Sequence, residues 1–199
     1  MKAIIISTIL LIYSSYSFGL EFSTGTVNIP NPATYSAELE ELDFDLLKEK
    51  FAGALEDALI TLETTVRNNR YTFGFLGKNR RFKRALRALR RAKLVWSEDI
   101  TSWRHCGKQT AAYVVQIGPN RGNIFLCPMA YTQSREVLTQ IIVHESAHLS
   151  GVTSECQASK MEMLAIYFSG IEQPFKSGYW NKCRLAKFNH TLNSKPYLR

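Results

Sequence analysis

Apolar residues recur along this chain at two different periods. Leu39, Leu42, Leu46, Leu47, Phe51, Leu55, Leu59 and Leu62 follow helical spacing through an acidic stretch, and they predict one long helix or two shorter ones over about 37–66. Gly53 stands inside that run as a weak point, and Asn68-Asn69-Arg70 with Gly74 and Gly77 end it. Asn79 opens a second helix that continues to about Trp96. Its apolar stripe is Phe82, Ala85, Leu86, Leu89, Ala92 and Trp96, and its opposite stripe is Arg80, Arg84, Arg87 and Arg91. The period then shortens. Residues 111–117 and 123–127 read as strands around the turn Gly118-Pro119-Asn120-Arg121-Gly122, an antiparallel hairpin ended by Pro128.

Helical spacing returns near Ser134 and runs to about Leu149, with Gly151 as its stop. A further helix begins at Ser154, where Ser154-Glu155-Cys156-Gln157 fits a capping box, and passes through Met161, Leu164, Ala165 and Phe168 to Gly170. Residues 170–199 are aromatic and basic, and Pro174 and Gly178 break their regularity. The expected fold class is α+β: one mostly helical domain over 20–199 with a small antiparallel sheet.

Composition adds a destination. Met1-Lys2, an apolar run over 3–13 and Ser17-Phe18-Gly19 together predict a cleaved secretory signal over 1–19. No later segment is apolar enough for a membrane span, so the mature chain is expected to be soluble and either secreted or periplasmic. Cys106, Cys127, Cys156 and Cys183 are then expected as two disulfides. Three pairings are open, and Cys106–Cys127 with Cys156–Cys183 closes the most local loops. None of the four has the close spacing of a structural zinc site.

The net charge is +8, unevenly spread. Acids dominate from 38 to 63, whereas 67–93 holds eleven basic residues and no acid. The segment from Arg80 to Lys93 suits an anionic surface, but a solvated or internally paired face is the preferred reading, and no stable nucleic-acid partner is expected.

The chemistry concentrates in Ile141-Ile142-Val143-His144-Glu145-Ser146-Ala147-His148. On a helix, His144 and His148 share a face and can offer two imidazoles to one metal ion. Glu145 beside them is placed as a general base for the attacking water. Zinc is the expected cofactor, and a catalytic zinc takes three protein ligands with one position left open. Two carboxylates on the following helix compete for third place. Glu155 lies seven residues after His148, just past the Gly151 turn, and is favoured; Glu162, two turns on, is the alternative or a partner for a ligating histidine. Glu162 as an ordinary surface acid is the commoner outcome for such a residue.

Ile124-Phe125-Leu126-Cys127-Pro128, followed by the His144 to His148 motif, a glycine and a carboxylate, resembles the deuterolysin-type (aspzincin) zinc metallopeptidases. The resemblance covers about 111–168. It implies a zincin-like fold, His144 and His148 as ligands and Glu145 as general base. The family's aspartate ligand has Glu155 near its place, offset by one from the glycine, and Ala158 stands where the family has a tyrosine. The glycine after the second histidine is also similar to the metzincins, but Ser154 occupies the place of their third histidine.

These observations predict an exported zinc endopeptidase acting on a peptide or protein substrate. By resemblance to zincins, one strand of the hairpin would hold the substrate in extended form. His105, His190, Tyr131 and Tyr179 are candidates for stabilising an oxyanion. Two other readings stay open: a cationic binding protein with a structural or vestigial metal, and a zinc hydrolase acting on cell-wall amides.

Overall fold

The computed structural model describes residues 43–68, 79–96, 106, 110–116, 121–169 and 178–185. The expected signal segment, residues 20–36, His105 and His190 lie outside these residues.

Helix α1, Phe44–Asn68, is one unbroken element of 25 residues. Asp43 caps it, its Oδ1 accepting from the backbone N–H groups of Asp45 and Leu46 at 3.0 and 3.1 Å. Leu47, Phe51, Ala54, Ala58 and Leu62 form its buried stripe. Gly53 does not interrupt the helix. It makes room for Arg135: a Cβ at residue 53 would lie 2.7 Å from the Arg135 Cζ, and that guanidinium pairs with Asp57 at 2.7 Å.

Helix α2 spans Asn79–Leu89 and buries Phe82, Ala85, Leu86 and Leu89. The expected continuation to Trp96 does not occur. A turn follows, and Leu94–Val95 form strand β1. β1 runs parallel to β3 (Ile124–Leu126), with Leu94 opposite Ile124 and Val95 opposite Phe125, and the Ile124 N–H donates to the Lys93 carbonyl at 3.0 Å. A strand some thirty residues ahead thus wins Leu94-Val95 from the helix, and local periodicity carries no trace of it. Strand β2, Ala112–Val114, pairs antiparallel with β3, as the hairpin reading expected, although both strands are shorter than their patterns. The sheet is therefore mixed, ordered β1-β3-β2, with the buried β3 at its centre.

Pro128 opens a one-turn helix α3, Pro128–Tyr131. Helix α4 follows at Arg135–Leu149, capped by Ser134, whose hydroxyl accepts from the Val137 N–H. Helix α5 spans Glu155–Ser169. A last short helix, α6, Gly178–Lys182, lies in the stretch expected to be irregular, and Gly178 begins it instead of breaking it.

α1 packs along α4 and α5, α2 covers α1 and α4, and β2 lies against α4. Two disulfides join Cys106 to Cys127 and Cys156 to Cys183, the pairing that the local-loop argument favours. The second ties α6 to the first turn of α5. Lys50 on α1 donates to the carbonyls of Tyr131 (2.7 Å) and Gln133 (3.1 Å), which closes the end of α3, and burial lowers its pKa. No helix among the described residues is long and apolar enough to cross a membrane.

Candidate metal centre

Four residues apart on α4, His144 and His148 stack one turn above the other, their ring centroids 5.0 Å apart. The turn after them does two jobs. Gly151 takes φ +92°, a conformation that side chains resist, and its N–H donates to the His148 carbonyl at 2.9 Å. The chain reverses there, so the first residue of α5, Glu155, returns to the histidine face. The same turn aims the Val152 carbonyl at His148 Nδ1, 2.7 Å away.

The donor atoms converge closely. Glu155 Oε2 lies 3.0 Å from His144 Nε2, Glu155 Oε1 lies 3.0 Å from His148 Nε2, and the two Nε2 atoms are 3.2 Å apart. His144 Nδ1 is 2.8 Å from Glu162 Oε2. A carbonyl can only accept, so His148 carries its proton on Nδ1. An ionised Glu162 imposes the same tautomer on His144. With both imidazoles neutral, the Nε2 lone pairs face each other and a carboxylate, four acceptor atoms that only a proton or a metal ion reconciles. Glu155 Oε1 is within ion-pair reach of His148 at 3.0 Å, but it is buried and no donor meets it in hydrogen-bond geometry. Neutral acceptors pressed to 3 Å repel, and a buried carboxylate without a counter-charge is costly. A cation at their centre removes both penalties.

The residues fit a divalent ion. His144, His148 and Glu155 each bring one ligand atom, all within 4.8 Å of one another. Ligands about 2.1 Å from a tetrahedral zinc sit about 3.4 Å apart, near the 3.0–3.2 Å seen here. Nitrogen and carboxylate donors suit zinc among several divalent metals.

Where no cation sits, a proton takes its place. Burial alone pushes the His144 imidazole down, but hydrogen bonds to Glu155 and Glu162 outweigh it and hold its pKa up at about 10. Burial pushes Glu155 up, and its contacts with His144 and then His148 reverse this and hold it at about 2. Glu145, buried beside the pair, is raised by desolvation, against the pull of His148 and His144.

The side chains of His144 and His148 are 1% and 2% exposed, whereas Glu155 reaches 11%. Glu155 is the most exposed of the three. Glu162 is not a surface acid: it is 1% exposed and its carboxylate backs His144. A sequence pattern cannot distinguish these outcomes, because burial of α5 on both sides depends on what packs there. Tyr131 is buried in the core, its ring against Phe51. Tyr179 lies on α6, half-buried, with Lys182 over its ring.

Sequence reasoning missed three groups. Gln140 sits one turn before His144 on the same helical face and donates to Glu162 Oε1. Its i−4 spacing from a ligand was a readable signal. Trp180 Nε1 donates to the same oxygen at 3.3 Å, and the Val152 carbonyl orients His148. Neither left a trace in the local pattern. No family model, no curated protein and no solved structure matches this chain.

Proposed function

We propose that the protein is an exported zinc-dependent hydrolase, zincin-like in its chemistry, that cleaves peptide bonds. The observation that carries this reading is the convergence of the His144 and His148 Nε2 atoms on the two oxygens of Glu155, each at 3.0 Å, with 3.2 Å between the nitrogens. A divalent ion held there supplies Lewis acidity, polarising a carbonyl and acidifying water. Glu145 follows the first ligand in sequence, and its burial-raised pKa suits it to accept a proton and pass it to a leaving amine. Glu155 and the two histidines hold the ion. Glu162 and the Val152 carbonyl fix the imidazoles. Among the described residues strand β2 is an edge of the sheet, and it packs on α4, the helix that carries both histidines, so it offers a backbone to which an extended peptide would pair. Two disulfides are compatible with an oxidising compartment outside the cytoplasm.

The test is Glu145→Gln in the purified protein, with metal analysis and an assay on an unstructured protein substrate. Bound zinc should remain and chelator-sensitive cleavage should disappear. Undiminished cleavage by this variant, or a wild-type protein that binds no metal, refutes the proposal.

A second reading has its own support. Arg80, Lys83, Arg84, Arg87, Arg90, Arg91 and Lys93 are all exposed, and among the described residues only Arg90 of these pairs with an acid, Glu63 at 2.8 Å. The apolar stripe of α2 is spent on the core, so this helix offers charge and no inserting face. In that reading the cationic face holds an anionic surface and the buried metal is structural. Glu145→Gln would then change nothing, while replacing Arg80, Arg84 and Arg87 with glutamine would release the protein from anionic vesicles.

A further inference from the structure

Glu162 is surrounded by donors. His144 Nδ1, Gln140 Nε2 and Trp180 Nε1 all point at its carboxylate, and the residue is 1% exposed. Trp180 is the informative member. An indole N–H can donate and never accept, so the oxygen it meets must be an acceptor. With Gln140 on that same oxygen, Oε1 is occupied twice, and Oε2 is left as the acceptor for His144. Glu162, 18 residues down the chain, thereby holds a proton on His144 Nδ1 and leaves Nε2 as the ring atom turned toward Glu155.

What holds Trp180 there is not α6 itself. Five residues cannot sustain a helix by their own backbone bonds. The tether is Cys183, three residues after Trp180 and joined to Cys156. Cys156 follows the ligand Glu155 directly. One covalent link therefore fastens both the turn that carries a ligand and the segment that carries the indole.

Resting on the metal-centre reading above, we propose that α6 is a latch on that centre. Trp180 is a positioning residue that acts through Glu162 on His144, and the Cys156–Cys183 disulfide sets how tightly the site binds its metal.

The measurement is zinc affinity of the full protein by competition with a chromophoric chelator, alongside the apo-state circular dichroism and melting curve. Glu162→Gln leaves one acceptor oxygen where three donors converge and should weaken zinc about 10–100-fold. Trp180→Phe keeps a smaller aromatic ring, drops the N–H and should weaken it about 3–10-fold. Joint replacement of Cys156 and Cys183 by serine should weaken it to a similar degree as Trp180→Phe. The latch also demands overlap: combining Trp180→Phe with the serine pair must cost less than the product of the separate effects. Should Glu162→Gln not fold, the Trp180→Phe variant decides, provided its melting curve shows it folded. The latch is wrong if folded Trp180→Phe binds zinc as wild type does, or if its effect multiplies independently with that of the serine pair. A wild-type protein without zinc affinity would sink the metal centre as well, and that result is distinct from normal wild-type binding with indifferent variants.

Discussion

The seam where α1 meets the rest of the bundle and the seam between α4 and α5 are built from opposite materials. Along α1 the buried side chains include Leu47, Phe51, Ala54, Ala58 and Leu62, with Thr65, whose hydroxyl donates to the carbonyls of Thr61 and Ala165. Between α4 and α5 they include Gln140, His144, His148, Ser159 and Glu162, with Glu155 at the rim. The first seam stabilises by removing apolar surface from water, whatever the pH or the ions present. The second puts two imidazoles and two carboxylates where water cannot screen them, and contributes only when a proton or a metal ion sits among them. The buried polarity is concentrated in one seam, and the other supplies apolar burial that tolerates it.

The sharpest way to break this contrast is to disarm the polar seam. His148→Ala should abolish stoichiometric zinc binding, and Glu145→Gln should lower peptide hydrolysis by about 10²–10⁴-fold with zinc retained; metal analysis and a cleavage assay read both. Phe51→Ala strikes the other seam and should cost about 3–5 kcal/mol in urea unfolding, with the zinc affinity of the folded protein unchanged. If zinc affinity fell with it, the two seams would not be separable.

Metal removal comes next. With free zinc at about 1,000 times its dissociation constant, the holo form should be about 4 kcal/mol more stable than the apo form, and a chelator should reverse this in a melting experiment. pH sharpens the point for the apo form. Glu155, lowered to about 2, contributes stability that is present above its ordinary 4.5 and lost as the pH falls toward 2. His144, raised to about 10, contributes below its ordinary 6.5 and loses this as the pH rises toward 10. Both windows describe one contact, so apo stability should peak between about 4.5 and 6.5 and decline on either side. Zinc must displace the His144 proton, so its affinity should climb with pH, which a titration at several pH values measures. The smallest effect is expected at Gly53→Ala. The new methyl pushes Arg135 from Asp57, while alanine favours the helix, and the two nearly cancel in the melting temperature.

Much of the polar seam was legible because it is local. His144, Glu145 and His148 fall within five residues, Gly151 announces the reversal, and Glu155 lies within one turn of it. Ser134 as a cap and the length of α4 follow from the same short-range rules. Other features were not legible. The strand at Leu94–Val95 depends on a partner at Ile124, and helical periodicity ran past it. Gly53 looked like a break and is a recess for an arginine 82 residues away.

The amino-acid order by itself determined where α2 and α4 start and that His144 and His148 share a face, since each depends on spacings of a few residues. Tertiary structure alone decided that Glu162 is buried behind His144 and that Trp180 stands behind Glu162. The energy of a charged group is set by what surrounds it, and those surroundings arrive from α5 and α6, which only folding brings together.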